Sequence, residues 1–145
     1  MTTATPLSAT LELTDAPLAE DVAVIGDGLV AFNNADIGPS GRQSLAVLIR
    51  DEDGKVIGGL SGYTGWGWLF TQWLFVPESL RGTGMAGRLL DQAEAEARRR
   101  GCGFAWIDTF NPVALKAYQR QGYEIFGELP EYPAGRTRTF LKKAL

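Results

Sequence analysis

Hydrophobic and polar positions follow two different periods along this chain, and each change of period marks an element. Residues 1–8 are small and polar and read as a flexible N-terminus. From Ala9 to Thr14, Leu11 and Leu13 alternate with Thr10, Glu12 and Thr14, the two-residue period of a half-buried strand. Asp15 and Pro17 signal a turn. Leu18, Val22, Ile25, Leu29 and Phe32 then follow at steps of four, three, four and three, a helical stripe ending near Asn33–Gly38. The Gly/Pro/Ser-rich stretch Ile37–Ser44 is a connector, with a flap over a pocket as the other reading. Ser44–Arg50 and Lys55–Gly62 read as strands joined by the hairpin turn Asp51–Gly54. Tyr63–Gly67 turns the chain into Leu69–Val76, a buried strand closed by Pro77.

The period then returns to that of a helix. Gly82, Gly84 and Gly87 precede Leu89, Leu90, Ala93 and Ala97 at spacings of three and four, and Arg98–Gly101 ends the run. Phe104, Trp106 and Ile107 form a short strand finishing at Asp108-Thr109. Asn111-Pro112 is a cap followed by proline in the first turn, opening a helix that carries Ala114, Leu115, Tyr118 and Gln121 and stops at Gly122. Tyr123–Phe126 and Thr137–Leu141 are the last strands, separated by the polar loop Gly127–Arg136. The order is β, α, three antiparallel strands, α, β, α and two strands. That is a mixed α/β (α+β) fold, with a mostly antiparallel central sheet flanked by helices and one parallel crossover at the glycine loop.

Composition narrows the partners. At 145 residues and 45% hydrophobic content, residues 9–145 suit a single domain with a real core. The net charge of -3 and the scattered basic residues give nucleic-acid binding no electrostatic support. The first ten residues lack the basic start and apolar core of a signal peptide, and no apolar run reaches membrane-spanning length, which points to a cytoplasmic protein without a membrane partner. There is no histidine, which removes Ser-His-Asp and Cys-His sites and the common zinc sets, so no metal is expected. The single Cys102, between two glycines, reads as an inert core or edge thiol.

Two short strings invite misreading. Gly26, Gly28 and Ala31, with Asp51 further on, spell a dinucleotide-binding fingerprint and would predict a nicotinamide enzyme. The helical stripe runs unbroken through both glycines, however, and too little chain remains for the two-half fold that such enzymes use. Gly59-Leu60-Ser61-Gly62-Tyr63 lacks the last glycine of a nucleophile elbow and has no histidine to serve it. The loop around Gly82, Gly84 and Gly87 is different, because strand, glycines and helix start occur in that order. Glycines let backbone N–H groups approach a ligand, and a helix start offers unpaired donors, so an anion such as phosphate belongs there.

Arg81-Gly82-Thr83-Gly84-Met85-Ala86 resembles the R/Q-x-x-G-x-G/A loop of the GNAT superfamily of acetyl-CoA-dependent N-acetyltransferases. Asn111 to Tyr123 is similar to that family's N-x-x-A-x-x-x-Y-x-x-x-G-F/Y segment, at the expected separation. The likeness spans roughly Leu11 to Leu145 and implies a small stand-alone bacterial enzyme. It implies acetyl-CoA as cosubstrate, with the pyrophosphate on the amides from Arg81 to Ala86 and pantetheine along the strand edge at Leu74, Phe75 and Val76. The Leu74 amide would hold the acetyl carbonyl, Asn111 would meet the pantetheine arm, and Lys116 or Arg120 the adenosine end. Tyr118 matches the family's general acid. Where many members carry a glutamate base, this chain has Phe70, which leaves Asp108 and Glu131 as candidate bases and Gln72 to position a water. The expected reaction is direct attack by a primary amine of a small molecule or peptide, with a non-catalytic acyl-CoA sensor as the alternative. Trp66, Trp68, Trp73, Tyr132 and the Phe32–Gly41 region are candidates to line the acceptor, although the aromatics equally suit a core. The acidic balance, with Glu128 and Glu131, favours a cationic amine. Pairing through the last strands leaves room for a homodimer.

Overall fold

A computed structural model describes residues 8–145, so of the residues expected to form a flexible terminus, 1–7 lie outside the described ones. The chain divides into two compact units, one ending at Gly38 and the other running Pro39–Leu145.

In the first unit the expected strand Ala9–Thr14 does not form. Its backbone joins no ladder, and Leu11 and Leu13 are fully exposed. Alternation of side chains specifies a face, but a strand also needs a partner for its backbone groups, and this segment pairs with none. The expected helix does form, as α1 (Ala19–Ile37). Glu20 and Asp21 sit in its first turn, where carboxylates face the positive end of the helix dipole, and Gly38 ends it at φ 86°. Gly26 and Gly28 lie inside α1, in helical backbone. The dinucleotide fingerprint is thereby overturned, since it needs a strand, a tight glycine turn and then a helix start.

The second unit holds a six-stranded sheet built from β1 (Gln43–Arg50), β2 (Val56–Gly65), β3 (Trp68–Phe75), β4 (Phe104–Thr109), β5 (Glu124–Pro130) and β6 (Thr137–Ala144). The spatial order is β1-β2-β3-β4-β6-β5. Every neighbouring pair is antiparallel except β3 and β4, which are joined by the crossover helix α2 (Met85–Arg99). A short helix, α3 (Pro112–Arg120), connects β4 to β5. The turn Asp51–Gly54 behaves as expected, with Asp51 Oδ1 accepting from the amides of Asp53 and Lys55 at 2.9 Å each. The loop expected at Gly127–Arg136 is shorter, because β5 continues along β6 to Pro130.

One face of the sheet carries the core. Leu45, Ile49, Leu60, Leu69, Ala105, Ile107 and Leu141 pack there with Leu89, Leu90, Ala93 and Ala97 of α2 and Tyr118 of α3. Alternation sends Leu48, Tyr63, Trp68, Phe70, Trp106 and Phe140 to the opposite face, where Phe70 stacks on Trp106 at 4.0 Å between ring centroids.

The ladder between β2 and β3 slips once. Ser61 pairs with Trp73 while Gly62 pairs with Thr71, so Gln72 is an extra residue on β3. The bulge brings the Phe70 carbonyl so close to Gly62 that a Cβ there would stand 1.9 Å from the oxygen. Gly62→Ala is therefore expected to lower stability by about 1–3 kcal/mol through forced backbone movement. Urea denaturation measures this, and an unchanged midpoint would mean that the bulge is not closely packed.

Candidate active site

The site grows from the end of β3. Parallel pairing with β4 covers only Trp68–Thr71 against Phe104–Ile107, so on that side Gln72–Phe75 run on with no strand partner. On the other flank Asp108 and Thr109 pair only with β6. The two strands thus separate into a wedge whose β3 wall is backbone. At its root lies Thr71, whose buried Oγ1 has no hydrogen-bond partner. Leu74, half-buried, turns its side chain to the core and leaves its main chain at the edge. Phe75 and Val76 carry the edge toward the loop.

That loop is shaped by glycines. Gly82 and Gly84 adopt φ of 74° and 81°, and Gly84 is the N-cap of α2, so the amides of Met85 and Ala86 open the helix without intrahelical partners. Gly84→Ala would put a Cβ in a backbone conformation that L-residues rarely adopt. Arg81 turns back, its Nε donating to the Val76 carbonyl at 3.0 Å, and Thr83 Oγ1 donates to the Leu80 carbonyl at 2.5 Å. Both side chains brace the loop from strand to helix.

On the far side of the wedge, Asn111 caps α3. Its Oδ1 accepts from the amides of Val113 at 2.8 Å and Ala114 at 3.2 Å, with Pro112 in the first turn. A cleft of about 220 Å³ opens beside it, lined by Phe110, Leu115 and Arg136 among others. A larger hollow of about 600 Å³ lies between the free edge of β1 and α2 and contains no expected site residue. Its charges are already satisfied, since Glu96 is paired with Arg99 and Arg100. Lys116 and Arg120 are exposed on α3, open to solvent.

Tyr118 is buried, 5% exposed, with its ring 6.5 Å from that of Tyr123. Burial first, and the negative charge of Asp108 second, push its phenol up to about 12. The structure therefore brings Tyr118 and Asp108 into one electrostatic environment. Asp108 is held by Arg138, whose Nε and Nη2 both lie 2.8 Å from Oδ1, so the pairing does not itself occupy Oδ2. Arg138 in turn lies 4.9 Å over the Tyr132 ring. Glu131 is placed differently. It adopts φ 53° and its Oε2 accepts from the Gly135 amide at 3.1 Å, closing its own loop. Gln72 and Trp73 are exposed at the bulge, Trp68 stacks on Phe104, and Trp66 is exposed in the β2–β3 turn. Cys102 is buried and free, and burial raises its thiol, consistent with an inert core group.

Some contributors were not singled out in the sequence. Glu94 of α2, 1% exposed, accepts from Tyr123 Oη at 3.1 Å and Lys143 Nζ at 2.5 Å, and Lys143 also donates to the Gln121 carbonyl at 2.7 Å. Asp91 accepts from the Gln121 side chain at 2.5 Å. This network ties the glycine-loop helix to the end of the helix that carries Tyr118. The available signal was Glu94 itself, a charge standing within the apolar stripe of Leu90, Ala93 and Ala97.

A parallel strand pair that parts into a wedge, a glycine loop at a helix start and a buried tyrosine beside the wedge together define an acyltransferase fold. The chain belongs to the acetyltransferase (GNAT) family, whose profile matches residues 20–123. It is 48% identical over 131 residues to Acetyltransferase Atu2258 of Agrobacterium fabrum, covering 90% of this chain and 96% of that one. It is also 40% identical over 95 residues to Blasticidin-S acetyltransferase of Streptomyces morookaense, covering 65% of this chain and 70% of that one. A crystal structure of an acetyltransferase candidate from Agrobacterium tumefaciens superposes with a TM-score of 0.92 at 46% identity, covering 94% of this chain and all of that one. The family uses acetyl-CoA as its cosubstrate. Among the described residues no cluster of His, Cys, Asp and Glu could hold a metal ion, and no helix is long and apolar enough to cross a membrane.

The buried phenols make stability depend on pH. Tyr118 is raised to about 12, and Tyr123 is raised by burial and by Glu94. In the unfolded chain both titrate near 10, so the stability that they carry is present below pH ~10 and lost as pH rises toward ~12. For Tyr118 alone the loss is about 3 kcal/mol. Denaturation midpoints at pH 9 and 11.5 should fall accordingly, and less in Tyr118→Phe than in the unaltered protein.

Proposed function

We propose that the protein is an N-acetyltransferase that moves the acetyl group of acetyl-CoA directly to a primary amine of a small molecule or peptide. The observation that carries this reading is the wedge, whose unpaired β3 edge ends in the glycine loop. An extended amide-bearing arm finds backbone partners along Gln72–Phe75, and a pyrophosphate finds amides at Gly82–Ala86. The partnerless Thr71 hydroxyl at the root of the wedge also suits a polar group arriving there. In this reading the Leu74 amide receives the acetyl oxygen as negative charge develops on it. Removing one such donor in other enzymes costs about 3–4 kcal/mol.

Tyr118 faces the departing sulfur as a donor. With its phenol at about 12, complete transfer to a thiolate of pKa ~8.5 is uphill by about 5 kcal/mol. Its contribution is therefore a hydrogen bond to the leaving sulfur, and the thiol takes its proton from solvent. On the acceptor side, Phe70 is locked in an aromatic stack and accepts no proton. Asp108 is the better candidate base, since its charge is felt at Tyr118 and its Oδ2 lies outside the Arg138 pairing, whereas Glu131 is committed to its own loop. The 40% identical relative named for blasticidin S supports a small-molecule acceptor.

Phe70 also favours a second reading, a sensor that binds acyl-CoA without turning it over. Thiol release against a panel of polyamines, aminoglycosides, amino acids and peptides separates the two. The enzyme reading expects release with at least one amine, together with a raised Tm in acetyl-CoA. Tyr118→Phe should then lower kcat about 10-fold or more with little change in cofactor affinity. Asp108→Asn should lower kcat at neutral pH, with partial recovery as pH rises and more of the amine is neutral. Binding without release across the panel supports the sensor, and full turnover by Asp108→Asn would assign proton removal to water.

A further inference from the structure

Two apolar surfaces are left uncovered within their own units. The first is α1, which buries none of its residues and exposes Val22, Val24, Ile25, Leu29, Val30 and Phe32. Glu20, Asp27 and Asn34 form one polar strip, and Asp21, Asn33 and Asp36 lie off it near the helix ends, so that from Val22 to Phe32 only Asp27 interrupts an apolar surface. Helices apolar nearly all round are normally covered by protein. The second is the face of the sheet opposite α2 and α3. Leu48, Phe104 and Phe126 are each about half exposed there at 51%, 47% and 52%; Phe104 belongs to the Trp68 stack, Phe126 lies by Phe140, and Leu48 stands on β1 level with Phe75. Exposed apolar side chains spread over one face of a sheet mark a candidate interaction surface.

The two surfaces match in size and charge. A helix of 19 residues is about 28 Å long, and a sheet of six strands is about 24 Å across. The helix carries Glu20, Asp21, Asp27 and Asp36 and no basic residue. Arg42, just before β1 and over the Tyr63 ring, and Arg50 and Lys142 by alternation, are exposed on the receiving face; Glu124 stands opposite Lys142 and Asp108 is paired to Arg138, which leaves the face with more basic than acidic groups. Gly26 and Gly28 have open space where a side chain would stand, with no atom within 4 Å, and would let a neighbouring ring approach the helix backbone closely.

We propose that α1 of a second copy lies across this aromatic sheet face, so that the protein is a homodimer in which each copy lends its N-terminal helix to the other. Two-fold symmetry makes the exchange reciprocal. It also accounts for the unpaired alternation Thr10–Thr14: β1 ends the sheet with a free edge, and the extended segment of the second copy can add to it.

The test uses the full-length chain. Sedimentation equilibrium should give twice the 15.7 kDa chain mass at micromolar concentration. The double variant Ile25→Glu/Leu29→Glu should raise the dimer dissociation constant more than 100-fold while the far-ultraviolet dichroism stays native. As an independent measurement on the unaltered protein, a mixture of ¹⁴N- and ¹⁵N-labelled copies is treated with a carbodiimide. Mixed-isotope cross-links should join α1 carboxylates to Lys142. A monomeric mass overturns the proposal. So does a dimer that survives the double variant in folded form, or α1 cross-links confined to single-isotope products.

Discussion

Parallel pairing between β3 and β4 stops at Thr71 and Ile107, and the candidate site exists because it stops there. Continued pairing would consume the backbone groups of Gln72–Phe75 and leave no wedge between the strands. Two features keep them apart. The bulge at Gln72 redirects β3, which requires glycine at position 62 because no side chain fits against the Phe70 carbonyl. On the other flank, Arg138 holds Asp108 so that the end of β4 stays with β6. The wedge is thus set by backbone geometry and one ion pair, and the side chains around it are placed relative to an opening that already exists.

A second constraint fixes what faces the opening. Burying Glu94 is costly, and the Tyr123 and Lys143 bonds offset that cost without making the pair a large net stabiliser. What the network supplies is relative position. The glycine loop begins α2 and Tyr118 sits near the end of α3, so a cosubstrate lying between them needs those helices at a fixed separation. Apolar contacts alone allow helices to slide by fractions of a turn, whereas Asp91–Gln121 and Glu94–Lys143 specify one register.

Much of this was legible in the sequence, for local reasons. The Asn111-Pro112 start, the Asp51–Gly54 turn and the α2 stripe each depend on residues close together in the chain, and each stands where its chemistry put it. Ala9–Thr14 failed because alternation is a necessary condition for a strand and not a sufficient one. The extension of β5 to Pro130 was missed because its ladder with β6 is set by the partner strand, not by its own polar composition. The pairing of Asp108 with Arg138 joins positions thirty residues apart on strands whose register no local pattern reveals. The same holds for the commitment of Glu131 to Gly135, which follows from a positive φ that its residue type does not suggest. Candidate bases could therefore be named from sequence but not ranked.

Proton accounting within the proposed reaction shows why that ranking matters more than the identity of the acid. A departing thiolate with a pKa of ~8.5 is a weak base and needs little help beyond a donor. An alkyl amine near 10.4, by contrast, is about one part in a thousand neutral near pH 7.4, a penalty on the order of 4 kcal/mol before attack begins. The larger demand falls on the acceptor side, where Phe70 accepts no proton. Tyr118, raised by its burial, is suited to the smaller task, because it stays protonated across the whole range in which the amine becomes neutral. The group that decides the rate is then whichever one neutralises the amine. In the proposed reaction the candidate for that group is Asp108, whose Oδ2 lies outside the Arg138 pairing, ahead of Glu131, which is committed to its own loop.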